Sequence, residues 1–460
     1  MKKIRLPLAI TLALGIISPF SMADNLQEVY SLALQKDPQV QKAKATLKSN
    51  KIGIKTALAT LLPQVSVTGT LQEDFSEREV DANTDPNNAP IFVPAEIESI
   101  TASYNFRLTQ EIFNLASWQQ LDRSEKVALQ SESAYQQAKQ ALITRVATAY
   151  FDILKAQDDL EFARAEKRAI ERQLEQTKQR FAVGLTAITD VHEAQAQFDN
   201  AVATEIRAEN DVEVRKEFLR EITGRFHDEL APLNTERFST TKLTETAGTI
   251  VSRAENQNQE IKGQQLGLDI AKQDIDIAFS GHLPTLSLTA DKGRRNSNRN
   301  IVHVNGELAS RSNPGPSDSE TIRIDLNVPI YSGGSIDARV RQAQANYVAA
   351  SEDLELIHRR IVREVRSSYA DVVSLISSIR ALEQAVVSAE SALKATEAGF
   401  EVGTRTIVDV LNSTQNLYNA KRNLSKTRYD YILAMLNLKQ AAGDISDDDV
   451  AQINQGLVGA

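Results

Sequence analysis

The chain of 460 residues has no cysteine, one tryptophan, 5% aromatic residues and five histidines. Without cysteine there are no disulfides, no thiolate chemistry and no cysteine metal site. The histidines, His192, His227, His282, His303 and His358, are scattered, with no His-Glu-x-x-His and no carboxylate at ligand spacing. No phosphate-binding loop, dinucleotide fingerprint or Gly-x-Ser-x-Gly occurs. No cofactor and no catalytic group are therefore expected. Positive charge is also in deficit. The net charge of −9 becomes −12 once Lys2, Lys3 and Arg5 of the N-terminal segment are subtracted, which disfavours a nucleic-acid partner.

Long apolar runs are missing too, apart from Leu6 to Phe20, which follows the basic n-region and precedes Ser21-Met22-Ala23. This reads as a signal peptide over residues 1–23. A retained anchor is the alternative, but the run is short for a bilayer span. No later stretch has about 18 consecutive apolar residues, so no transmembrane helix is expected. A long chain without covalent staples and with few aromatics must rely on long packed helices or on oligomerisation.

What is present is written twice. Phe181, Val183, Gly184, Ile188, Asp190 and Val191 recur in register as Phe400, Val402, Gly403, Ile407, Asp409 and Val410, 219 residues later. Each copy interrupts a long helical pattern with a glycine and restarts it with Thr and Asp, which is the pattern of a helix–helix hairpin. The first repeat spans residues 24–223: helix to Leu62 broken at Asp37-Pro38, strands near 64–72 and 100–110, a long helix 115–181 and a helix 187–222. An irregular segment covers 224–243. The second repeat spans 244–442: a continuous helix to Phe279, strands near 285–291 and 321–330, a long helix 336–400 and a helix 405–442. A tail covers 443–460. The polar stretches 75–98 and 292–319 read as loops. A 3-4 seam runs through Ala343, Tyr347, Leu354, Ile357 and Ile361, stutters at Val365, and resumes through Val372, Leu375, Ile379 and Leu393.

The four strands alternate apolar with polar residues over about ten positions, as transmembrane β-strands do, although a half-buried soluble sheet has the same pattern. If they span a bilayer they must close. Four are too few, so copies must share one barrel; two copies would give a filled interior, three a pore.

Thr148 to Phe151, Gly281-His-Leu-Pro-Thr285, Pro329-Ile-Tyr-Ser-Gly-Gly334 and Val402-Gly-Thr-Arg-Thr-Ile-Val-Asp-Val410 closely resemble the TolC family of outer-membrane efflux ducts, from about Leu26 to Ala442. The resemblance implies an α+β membrane protein: a homotrimer whose twelve-stranded β-barrel in outer-membrane lipid continues into a twelve-helix α-barrel across the periplasm, with 224–243 and the C-terminal tail at its equator. It further implies an exit duct of tripartite efflux and type I secretion systems, passing drugs, detergents or polypeptides without chemistry. Its partners are then a periplasmic adaptor and an inner-membrane transporter of the RND, ABC or MFS type. The alternative is a secreted coiled-coil spacer or chaperone without a pore.

The resemblance also implies site residues. Asp190, Thr189 and Arg405 belong to a latch that holds the inner hairpin closed; Phe400 stands where the family has a tyrosine, so that hydroxyl is missing. Asp409 matches the first of two acidic rings at a constriction and Asn412, uncharged here, the second. Val183, Gly184, Leu185, Val402, Gly403 and Thr404 match the adaptor seat. Other readings of the same residues are open: Thr406-Ile-Val-Asp409 fits a capping box, the glycines suit ordinary turns, and Arg405 suits an exposed helix start. Asp190 and Asp409 as a hydrolytic carboxylate pair are disfavoured, because both head helices in duplicated positions. The resemblance carries one expectation that can be tested directly. Asn412→Asp restores a second ring and increases cation selectivity, read as a shift in reversal potential in planar bilayers; an unchanged potential refutes the ring.

Overall fold

The computed structural model describes residues 23–81, 89–235, 238–303, 308–313 and 315–458. The segment read as a signal peptide lies, except for Ala23, outside the described residues.

Helix α1 (Leu26–Lys36) starts with a capping box between Asn25 and Glu28. It stops at Asp37, whose backbone turns out to φ −59°, ψ 123° before Pro38 opens α2 (Pro38–Thr60). Asp37 is buried because it does two things. It caps α2 by accepting from Val40 N–H at 2.9 Å and it pairs with Arg145 at 2.8 Å. The second repeat breaks in the same way. Its α5 (Ala247–Gln257) and α6 (Gln259–Ser280) are separated by Asn258 at φ −61°, ψ 125°, whose side chain accepts from Glu260 and Ile261 N–H. The sequence shows no proline there, so a continuous helix was expected; a side-chain cap makes the break unaided. A Cβ on Gly443 would lie 2.6 Å from the Cα of Asn258, so the chain at φ +81° can pass here only as glycine.

Strands β1 (Gln64–Asp81), β2 (Phe92–Phe113), β3 (Thr285–His303), β4 (Leu308–Ser312) and β5 (Ser317–Asn327) form one antiparallel sheet. Its order is β1-β2-β3, with β4 and β5 end to end on the far side of β3. Among the described residues the stretches 75–98 and 292–319 are therefore mostly strand, not loop; 82–88, 304–307 and 314 lie outside the described residues. Pairing continues from Phe75↔Glu98 to Asp81↔Phe92, and Ala95 meets His303. The extensions of β1 and β3 carry charge on both faces, so no apolar period marks them, while that of β2 alternates Val93, Ala95 and Ile97 with Glu96 and Glu98 over only a few positions; the ladder of backbone hydrogen bonds continues through all three. Apolar rows occupy only part of each strand, and obliquely. Val65↔Leu108 and Leu108↔Ala290 are in register, but Phe106 meets Lys292. The apolar band thus steps along the strands from β2 to β3, as it does where strands tilt around a barrel.

Two giant helices follow the sheet: α3 (Leu115–Ala182, 68 residues) and α7 (Ser335–Glu401, 67 residues), each on the order of 100 Å long. Each folds back on a shorter partner, α4 (Ile188–Thr223) and α8 (Ile407–Ala442). The 3-4 seam of α7 is buried or half-buried throughout, with Ile361, Val365, Val372 and Ile379 fully enclosed. One 18-residue window of α7 has mean hydropathy 1.3 and is only 17% buried, so this helix presents apolar surface that its own chain does not cover. The equatorial core gathers α1, α3, α8 and α9 (Asp447–Asn454) around Tyr150 and Phe151, whose rings meet edge to face at 5.6 Å. The Tyr150 hydroxyl donates to Ala231 O at 2.8 Å, tying the irregular segment to the barrel helix.

Removing Asp37 uncaps α2 and leaves Arg145 without its partner, so Asp37→Ala is expected to destabilise by about 2–5 kcal/mol. Asp37→Asn keeps the cap and loses only the charge, and should cost less. Thermal unfolding of the purified protein by circular dichroism checks the order; equal losses refute the cap.

Candidate gate at the helical tips

Both hairpins turn by one device. In α3 the Gly184 N–H donates to Phe181 O at 2.9 Å and Leu185 N–H to Arg180 O at 2.8 Å. In α7 the Gly403 N–H donates to Phe400 O at 3.2 Å and Thr404 N–H to Gly399 O at 2.9 Å. This is the Schellman pattern, which needs a left-handed residue; the glycines stand at φ +77° and +78°. A Cβ on either would meet nothing within 4 Å, so conformation, not crowding within the chain, accounts for glycine there. The flanking Val183 (70%), Leu185 (69%) and Val402 (75%) are exposed, as is Thr404. Two apolar knuckles thus project from the end of the molecule.

The helices that restart are capped differently. Thr406 and Asp409 form the capping box: Thr406 N–H donates to Asp409 Oδ2 at 2.9 Å and Asp409 N–H to Thr406 Oγ1 at 3.3 Å. The bond from the Thr406 backbone, then that from its hydroxyl, holds the Asp409 carboxyl below its usual range, with a smaller contribution from the charge of Arg405. The stabilisation this gives is fully present above the ordinary aspartate value of about 3.9 and is lost as pH falls through the lower folded value. Asn412 lies exposed one turn further along α8. In α4 the N-cap is Ala187, which has no side-chain oxygen to offer. The Asp190 carboxylate instead accepts from the Thr186 hydroxyl, and Thr189 is exposed beside it.

Arg405 and Asp190 are not brought together within the chain. Arg405 bends back so that its Cγ would lie 2.7 Å from a Cβ on Gly399, and among the described residues no ion pair joins it to Asp190. Phe400 is 7% exposed and belongs to a buried apolar cluster with Ile170 and Leu174 of α3, Ala194 of α4, and Ile407 and Val410 of α8. The guanidinium of Arg180 lies over its ring, 4.6 Å from the centroid. Sequence reading missed Arg180. The signal was available: in repeat register Arg180 stands where the second hairpin has Gly399, and Thr186 where it has Arg405.

Away from the tip the two hairpins are joined by polar contacts between α3 and α8. Lys155 pairs with Asp430 at 2.7 Å, Asp158 accepts from Ser425 and Tyr429, and Glu166 pairs with Arg422. Burial pushes the Asp158 carboxyl up, against those hydrogen bonds.

Comparison with known proteins extends this geometry. The family model for outer membrane efflux proteins matches residues 29–225 and again 250–444, which is the internal duplication. Outer membrane protein TolC of Vibrio cholerae is 45% identical, covering 99% of both chains. The alkaline protease secretion protein AprF of Pseudomonas aeruginosa is 29% identical, covering 95% of this chain and 88% of its own. Among solved structures, the CmeC outer membrane channel of Campylobacter jejuni superposes with a TM-score of 0.74 at 17% identity, over 99% of this chain and 97% of that one.

The tip glycines give a direct test of the turn. Gly403→Ala forces a Cβ into the left-handed region at a cost of roughly 1–2 kcal/mol without a clash. Hydrogen exchange at the Thr404 and Arg405 amides should accelerate in proportion, and less for Gly403→Asn. Unchanged protection means that the turn does not depend on the left-handed residue.

Proposed function

The chain belongs to the outer membrane efflux protein family and is an outer-membrane exit duct, and from that premise we propose how it is assembled and gated. The observation that carries the proposal is the sheet with two free edges. Among the described residues β1 pairs only with β2 and β5 only with β3. Its apolar face is bare, with Ile322 80% exposed and Val65, Leu71, Phe106 and Ile324 also open, while Arg107 and Asp291 pair on the opposite face at 2.7 Å. Hydrocarbon accepts the bare face but not the bare edges, because an unpaired N–H or C=O there costs several kcal/mol. Joining β1 of one copy to β5 of the next in a ring of three gives twelve strands and an aqueous lumen, and brings together twelve long helices. The uncovered apolar stretch of α7 then has a neighbouring copy to pack against. A spacer without a pore has no use for such edges, and of the proteins matching almost the whole chain one is named an outer membrane protein and one an outer membrane channel.

At the closed end we assign three Asp409 carboxylates to a ring that favours cations, with Asn412 adding no charge. The exposed knuckles Val183-Gly184-Leu185 and Val402-Gly403-Thr404 seat the helical tips of a periplasmic adaptor, which connects the duct to an inner-membrane pump. The secretion relative supports polypeptides among the cargo beside small amphiphiles. Transport of this kind needs no catalytic residue. Arg405, with Asp190 and Thr189, forms the polar latch once the tips are gathered. A partly exposed pair contributes about 0.2–1 kcal/mol, and three in parallel about 0.6–3 kcal/mol, a bias that an adaptor preferring the open form can overcome.

Purified protein should conduct in planar bilayers. Arg405→Ser should raise single-channel conductance and sensitise cells to large antibiotics without changing trimer yield. Absence of conductance overturns the channel reading; wild-type conductance in Arg405→Ser overturns the latch alone.

A further inference from the structure

We propose that Arg180 is a positioning residue of the gate, clamping Phe400 so that the second hairpin stays against the first; this rests on the tip-gate reading above. The contacts between α3 and α8 leave a gap that Arg180 fills. Their last polar rung before the tip is Glu166–Arg422, and Arg180 lies fourteen residues further along α3, about 21 Å. Over that length the buried cluster shared by the hairpins, with Ile170, Leu174, Phe400, Ile407 and Val410 among its members, is apolar and sets no direction. The guanidinium 4.6 Å above the ring adds a directional contact at the end of the lever, where a small displacement separates the partners.

The environment of Arg180 argues that the ring, and not solvent or a carboxylate, holds it. Its Nε is buried without a hydrogen-bond partner, and it joins no ion pair among the described residues. A stacked guanidinium is more weakly hydrated than an ammonium and tolerates a ring face in place of water. A cation in the last turn of α3 also suits the helix terminus, but that role needs no aromatic above it. The repeat shows that the contact is one-way. Phe181, the counterpart of Phe400, is 41% exposed, and the counterpart of Arg180 is Gly399, over which Arg405 folds. The two arginines of the tip thus sit on opposite sides of their turns, Arg180 before Gly184 and Arg405 after Gly403. Arg180 holds the second hairpin, and Arg405 is left with its charge unpaired for the polar latch.

The test measures the open fraction of the full-length protein in planar bilayers, beside its thermal midpoint. Arg180→Met keeps length and removes charge; Phe400→Leu keeps apolar burial and removes the ring. Each should raise the open–closed ratio by roughly 2- to 30-fold, with the melting temperature of the assembly unchanged. The double substitution should open no further than the stronger single one, and Phe400→Tyr, which keeps the ring, should stay at or below wild type. A wild-type open fraction for Arg180→Met, or additive effects in the double, overturns the clamp. If Arg180→Met does not assemble, Arg180→Lys decides: an intermediate open fraction supports the clamp and a wild-type one overturns it. A silent Arg180→Met beside an opened Arg405→Ser removes Arg180 while leaving the gate reading intact. Wild-type protein that does not conduct removes the channel itself.

Discussion

Unpaired backbone groups cannot be left in hydrocarbon, and most of this architecture answers to that constraint. A four-position sheet that is apolar on one face and open at both edges is not a finished object. In water its edges would invite uncontrolled pairing; in lipid they would be ruinous unless closed on identical neighbours. Closure fixes the rest. The diameter of the ring sets how many long helices stand beneath it, and the oblique apolar band, stepping from Val65 and Leu108 towards Leu286 and Leu326, sets the tilt with which the strands meet.

Below the sheet the problem changes from satisfying backbone to ordering helices that satisfy themselves. Helices on the order of 100 Å gain little from being rigid at the far end. The chain concentrates its large buried aromatics, Tyr150, Phe151 and Tyr429, at the equator and hands the lower reach to ion pairs and small contacts. Conversion between two tip arrangements is plausible physics only if the tip is the less stable part. Its core, built on Ala194, Ala201, Ile407 and Phe400, is small beside the equatorial one. A gate is best placed where few contacts need to be exchanged.

Much of this was legible in the sequence, and the failures have physical causes. The hairpin turns, both giant helices and the buried seam of α7 follow the sequence pattern, and Thr406–Asp409 caps α8 as one of the two readings of Asp409 allowed, because apolar period and capping residues are local signals. The break at Asp37 was legible through Pro38, whereas its twin at Asn258 was not, since asparagine caps as well as it sits in a loop. The extended halves of β1 and β3 read as loop because outside lipid neither face has to be apolar; their pairing depends on register with a distant strand. The gate was only partly legible. The resemblance pairs Asp190 with Arg405 only in gathered tips; within one chain Thr186 donates to the first and the second lies over Gly399. Nothing local in Gln179-Arg180-Phe181 says that the arginine reaches the other repeat.

A duplicated chain needs some asymmetry between its repeats to acquire a directional gate. Two identical hairpins around a ring would make equivalent contacts on either side, with no reason for one to move and the other to stay. Here the scaffold positions remain duplicated: Gly184 with Gly403 for the turn, Asp190 with Asp409 for the helix start, Val183 with Val402 for the knuckle. The positions between them have diverged in compensating pairs, Arg180 against Gly399 and Thr186 against Arg405. Loss of the side chain at Gly399 makes room for Arg405 to lie back, and Phe400 is left buried and available to an arginine from the other hairpin. Ala187 in place of a capping threonine turns Asp190 towards Thr186, whereas Thr406 and Asp409 cap each other, so each turn is settled by its own bonds. The second hairpin is held by a contact that belongs to its neighbour. It is the one that can be released without unmaking its own turn.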